Sequence, residues 1–177
     1  MQSRKITFLS MMVGYSLILY IIESYVPNPL IALFPGAKLG LTNIVTLTTL
    51  IILGLKDTFT IVTVRVILSS MFSGPLSYLF FSMGGAYLSL LMMYLFLQKG
   101  EFSTISVSII GAISHNIGQL LIASIIVENI LTIGYLPFML ITSLITGFFV
   151  GVSVKYCLPM ITNICKICWH ANVVLVK

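Results

Sequence analysis

The sequence predicts an all-α integral membrane protein, a bundle of six transmembrane helices with both termini on the cytoplasmic side. Three observations carry this reading. The chain of 177 residues is 59% hydrophobic and 7% charged, with a mean hydropathy of +1.15. Soluble domains carry roughly 25% charged residues, so a water-soluble fold is excluded. The apolar residues form six continuous runs rather than alternating ones, and open sheet edges do not survive in lipid. Finally, the basic residues outside those runs gather on one side of a chain that crosses six times.

The runs cover residues 6–22, 39–55, 58–72, 76–97, 105–127 and 136–157. The first has no small-residue cleavage site and leads into Glu23, Pro27 and Pro29, so it reads as a retained span rather than a signal peptide. The third is short and carries Arg65 near its middle. Arg4 and Lys5 precede the first run, Lys56 lies between the second and third, and Lys99 between the fourth and fifth. Lys155, Lys166 and Lys177 close the chain. Six crossings put all seven on one face and leave Glu23 and Glu128 on the other, with Lys38 at the edge of the second run. The positive-inside rule places the basic face in the cytoplasm. Residues 1–158 then form one membrane domain, and 159–177 a short cytoplasmic or interfacial tail.

The connection from Glu23 to Lys38 is long, and its three prolines make it stiff and non-helical, while Leu, Ile and Phe keep it apolar. It reads as a lid over the bundle or as a re-entrant, interfacial segment. No internal repeat is visible, which speaks against an inverted-repeat transporter.

Polar side chains inside the runs mark where a ligand would bind, because an ionisable group in hydrocarbon faces the protein interior or a wet cavity. Pro35-Gly36-Ala37-Lys38-Leu39-Gly40-Leu41-Thr42-Asn43 opens the second helix. Gly36 and Gly40 allow close approach, and free N–H groups at a helix start favour an anion. Lys38 either adds to that anion site or snorkels to the interface. Arg65 needs an acceptor, either Glu23 or an acid group on a ligand. Ser114-His115-Asn116-Ile117-Gly118-Gln119 places His115 and Gln119 four apart on one helix face. They read as ligand lining or as interhelical hydrogen bonding. Strips of small residues (Ser82, Gly84, Gly85 and Ser89; Gly147 and Gly151; Ser10 and Gly14) permit close helix crossing.

Other chemistry is thinly supported. Cys165-x-x-Cys168 with His170 and Cys157 reads as reduced thiols rather than zinc, so no metal is expected. The scattered bases do not suit nucleic acid. Nothing matches a nucleotide-hydrolysis motif or a catalytic triad, and no cofactor is expected. With only four acidic residues, the chain lacks the carboxylates that hold magnesium in prenyl-diphosphate chemistry, so it is not expected to be an enzyme.

The strings Pro35-Gly36-x-Lys38-Leu39-Gly40-Leu41-x-Asn43, Arg65, Gly74, Ser82-x-Gly84-Gly85 and His115-Asn116-x-Gly118-Gln119 resemble the Gx transporter family, often labelled heptaprenyl diphosphate synthase component I. The resemblance runs from about residue 23 to 151, and the tail falls outside it. That family in turn resembles the substrate-binding S components of energy-coupling factor (ECF) transporters. The resemblance implies an S-component-like bundle in the plasma membrane of a prokaryote, with an outward pocket capped by the first extracellular loop. It also implies a transmembrane coupling protein and two cytosolic ATPase subunits as partners, docking near Ser10 and Gly14, which depart from the usual alanine pair. The expected ligand is a small anionic vitamin- or isoprenoid-related molecule. Lys38 and Arg65 would neutralise it, and His115, Asn116 and Gln119 would orient it, with Asn43, Glu23, Gly36 and Gly40 nearby. The alternative is a membrane accessory subunit of a prenyl diphosphate or quinone biosynthetic enzyme.

Overall fold

A computed structural model describes residues 2–25, 40–73 and 77–169. Lys38 and Gly36, and the 26–39 stretch read as a lid, lie outside the described residues, as do Gly74 and His170. Within the described residues every regular element is helical. The helices are α1 (Gln2–Tyr25), α2 (Asn43–Leu53), α3 (Leu55–Ser73), α4 (Ser77–Lys99), α5 (Thr104–Ile126) and α6 (Leu136–Trp169), with a 3₁₀ turn at Ile130–Tyr135 before α6. The expected runs and the observed helices agree to within a few residues at most ends.

Four of these helices are long and apolar enough to cross a membrane: α1, α4, α5 and α6. The other two differ from the expectation for physical reasons. α2 has 11 residues and spans about 16 Å, short of a bilayer core of about 30 Å. α3 has 19 residues but carries Lys56, Asp57 and Arg65. The two are separated by Gly54 alone, whose φ of 80° reverses the chain in one residue. An L side chain seldom adopts that conformation, so glycine is needed there. The Gly54 N–H still bonds Leu50 O at 3.2 Å, and Thr58 closes the other side by donating its hydroxyl to Gly54 O at 2.8 Å.

α2 is the hub. Leu47, Leu50 and Ile51 pack against Val62 and Val66 of α3, Ala86, Leu90 and Met93 of α4, Val107 of α5, and Val150 and Val154 of α6. α1 packs Met12 against Val45 of α2 and Ile61 of α3 in a second cluster and leaves Met11, Tyr15, Ile18 and Ile22 exposed. Exposed apolar side chains on α6, such as Ile141, Phe148 and Phe149, are what lipid contact requires.

The chain runs up and down through this bundle. Lys5 pairs with Asp57 at 2.7 Å, so α1 and α3 start at the same end. At the other end the Gly40 N–H donates to Glu23 Oε1 at 2.6 Å. α4 and α5 run antiparallel, as contacts from Gly84 to Gly118 and from Met93 to Gly111 show. α5 and α6 do likewise, with Gly147 beside Ile109 and Gly151 beside Ile105. α6 continues through Pro159 to Trp169, so residue 159, taken from the sequence as the start of the tail, lies inside a helix. Proline inside a helix costs one backbone hydrogen bond but does not always end it.

Candidate ligand site inside the bundle

Three glycines fix the shape of the centre. A Cβ built on Gly118 would lie 2.4 Å from Gly84 O, and one on Gly85 would lie 2.8 Å from His115 O. α4 and α5 therefore cross backbone to backbone, the use of small residues expected of membrane helices. Ser89 reinforces the crossing by donating to Gly111 O at 2.8 Å. The close approach sets His115 and Gln119 directly against Gly85, within the bundle.

A small polar cavity lies beside this crossing, towards the end of the bundle where α1 finishes and α2 begins. It is lined by Tyr20 of α1, Thr42 at the start of α2, Arg65, Val66 and Ser69 of α3, Ser82 of α4 and His115 of α5. Arg65 and His115, expected from the sequence to share a site, thus meet although 50 residues apart. Both are buried. Tyr20, Thr42 and Ser69 are lining residues that the sequence does not single out, and Ser82, which the sequence marks as a small residue for helix crossing and as part of the family strings, joins them.

Charge in the cavity is concentrated on Arg65. It is 4% exposed, and its Nη1 has no hydrogen-bond partner among the described residues. The Glu23 carboxylate, also buried, acts on it electrostatically while Glu23 Oε1 holds the Gly40 N–H. Gly40 has φ 83°, the second place where backbone geometry demands glycine. Glu23 is thus near enough for its charge to act on Arg65, without an ion pair between the two, and Arg65 Nη1 has no hydrogen-bond partner among the described residues.

The other expected site residues divide. Asn116 points away from the cavity: its amide nitrogen donates to Met139 O at 3.0 Å and to Ser143 Oγ at 2.7 Å, joining α5 to α6. Gln119 is fully buried one turn from His115, with both amide atoms lacking a hydrogen-bond partner among the described residues. Asn43, next to Thr42, is in the same condition. Burying an amide without a partner costs about 1–3 kcal/mol, and neither side chain is among those lining the cavity. Ser10 is exposed, and a Cβ on Gly14 would meet nothing within 4 Å, so this part of α1 faces outward. Phe81 packs with Leu120, Ala123 and Met139, while Tyr25 is exposed. No cluster of three or more possible metal ligands occurs among the described residues.

Helices of membrane-crossing length around a buried guanidinium, an imidazole and several hydroxyls define a helical membrane protein with an internal polar site. The chain belongs to the heptaprenyl diphosphate synthase component I family, whose model matches residues 12–157. The matched region includes every residue of the cavity, together with Glu23, Gly40, Asn43, Asn116 and Gln119. No curated protein and no solved structure matches the chain.

Proposed function

We propose that this chain is the substrate-binding S component of an ECF-type importer, which captures a small anionic molecule at the outer face of the membrane. The observation that carries the reading is the cavity in which Arg65 and His115 converge with Tyr20, Thr42, Ser69 and Ser82 inside an apolar bundle. A buried guanidinium with a spare donor suits a carboxylate or phosphate oxygen, which it binds by charge-assisted hydrogen bonds. His115 and the hydroxyls supply orientation, and Gln119 and Asn43 supply further donors and acceptors close by.

In this reading α2 and α3 count as crossings, giving six spans with both termini inside. The support is the shared end of Lys5 and Asp57 with Lys56 between the helices, and the basic residues of the remaining inner segments. The cavity then lies nearer the outer face. α2 needs no full bilayer length because other helices cover nine of its residues. Energy comes from a transmembrane coupling protein and two cytosolic ATPases, with the open α1 surface at Ser10 and Gly14 as the docking face.

The family's name supports a second reading, a non-catalytic membrane accessory subunit of a prenyl diphosphate-forming enzyme. Affinity purification from membranes separates the two. ATPase subunits and a membrane coupling protein in the purified complex support import. A soluble prenyl synthase in their place overturns it.

A further inference from the structure

α2 begins without help from its own cap residue. Thr42 stands at the N-cap, yet its backbone is already helical (φ −61°, ψ −18°) and its hydroxyl caps no N–H of the helix. A capping side chain normally sits on extended backbone, which turns its oxygen back over the first turn. Ser103 shows that arrangement at the start of α5, with φ −68° and ψ 156° and its hydroxyl accepting from the Ser106 N–H at 3.2 Å. At α2 tight backbone bonds meet the first N–H groups: Asn43 donates to Gly40 O at 2.9 Å, Ile44 to Leu41 O at 3.1 Å and Val45 to Thr42 O at 3.2 Å. This helix start therefore offers a ligand its side chain rather than open backbone N–H groups.

Thr42 lines the cavity together with Arg65, and the α2–α3 hairpin explains why they meet. Thr42 lies twelve residues before Gly54 and Arg65 eleven after it, so two helices leaving one reversal carry both to nearly the same level. Val45 and Ile61 pack together closer to the reversal in the same hairpin. Both cavity residues are buried, Arg65 at 4% and Thr42 at 6% exposed, and Arg65 Nη1 has no hydrogen-bond partner among the described residues. Ser69, another hydroxyl of the wall, already donates to Val66 O at 3.1 Å. A hydroxyl has one proton to give, and α2 does not use the one on Thr42.

We propose that Thr42 is a ligand-binding residue: its hydroxyl and the Arg65 guanidinium, one from each arm of the α2–α3 hairpin, hold two oxygens of one acid group. This rests on the ligand reading above and specifies it. The ligand then presents an acid with at least two oxygens free to accept hydrogen bonds, a carboxylate or a phosphate. On binding, that acid group ties the start of α2 to the middle of α3, at the end of the hairpin away from Gly54.

Thermal unfolding of the purified full chain in detergent, at constant ionic strength, is titrated with acetate, with inorganic phosphate, and with acetamide as a neutral isostere. The proteins compared are the parent, Thr42→Val and Thr42→Ser. Thr42→Val keeps the shape and removes the hydroxyl, so without ligand it is expected to melt with the parent. Its half-effect concentration for the stabilising anion is expected to rise about tenfold or more, the loss of one hydrogen bond to a charged group. Thr42→Ser is expected to restore the parent's value. Stabilisation by acetate alone assigns a carboxylate, and by phosphate alone a phosphate; either supports the proposal when Thr42→Val weakens it. Equal half-effect concentrations in parent and Thr42→Val overturn the proposal while anion binding by the parent still stands, whether or not Thr42→Val melts lower. If neither anion stabilises the parent, or acetamide does so as well as acetate, the anion-binding reading fails and the proposal fails with it. Should Thr42→Val give no folded protein, Thr42→Ala carries the same comparison with the same outcomes.

Discussion

The α4–α5 crossing gives the sharpest test of how the site is held. In Gly118→Ala the new methyl would lie 2.4 Å from Gly84 O, 2.9 Å from Gly84 C and 3.0 Å from Gly85 Cα. The first of these is about 1 Å inside the 3.4 Å where ordinary contact begins, and all three atoms are backbone, so no side chain can rotate away. The helices have to separate. Overpacking of this kind costs about 1–3 kcal/mol. Alanine's better helix propensity returns up to about 1 kcal/mol, so a clash with fixed backbone at the upper end of that range leaves a net loss of about 2 kcal/mol. Gly14→Ala is the control, because its methyl meets nothing within 4 Å and only the propensity gain remains. Thermal unfolding of both variants in one detergent is expected to place Gly118→Ala below the parent and Gly14→Ala at or above it. Separation at Gly118 also shifts His115 and Gln119, so acetate affinity should fall in Gly118→Ala alone. A Gly118→Ala protein as stable as the parent would refute the backbone crossing.

Three further outcomes follow from the same geometry. Asn116→Ala removes two hydrogen bonds between α5 and α6 and is expected to lower stability by about 1 kcal/mol. Acetate affinity should not change, because Asn116 does not line the cavity; a loss would place it there. Arg65→Gln removes the buried charge on which Glu23 acts and should lower stability, part of which Glu23→Gln in the same chain restores; a double-mutant cycle with no coupling would show that the two charges do not interact. Lys5→Ala breaks a pair whose side chains are 35% and 21% exposed, so unfolding should shift by less than about 1 kcal/mol, and less still in high salt.

Much of the fold is legible in the sequence because lipid demands long apolar runs, and these set the starts and ends of α1, α4 and α5 to within a few residues. Gly54 and Pro159 are where such reasoning loses grip. A single glycine at φ 80° suffices to reverse the chain, so α2 is shorter than its apolar run. Pro159 sits inside α6 because neighbouring turns maintain the helix, and hydropathy carries no signal for that. Within the site, Arg65 and His115 stand out since ionisable groups are rare in apolar runs. Tyr20, Thr42 and Ser69 do not stand out. Hydroxyls in such helices often bond their own backbone, as Thr49 does to Val45 O at 2.8 Å and Ser114 to Ile110 O at 2.7 Å. Which hydroxyls face a cavity is decided by helix rotation. The same holds for Asn116, which helical spacing turns towards α6 although it adjoins His115 in sequence.

On the proposed reading, the cavity around Arg65 and His115 holds a small acidic molecule. The most direct measurement is mass spectrometry of the small molecules released from purified parent and from Arg65→Gln, prepared side by side from the same host. An acidic compound in stoichiometric amount is expected from the parent and is expected to be lost from Arg65→Gln, with both proteins folded by size-exclusion chromatography. The same compound at equal occupancy in both, or a neutral compound retained by both, would contradict it.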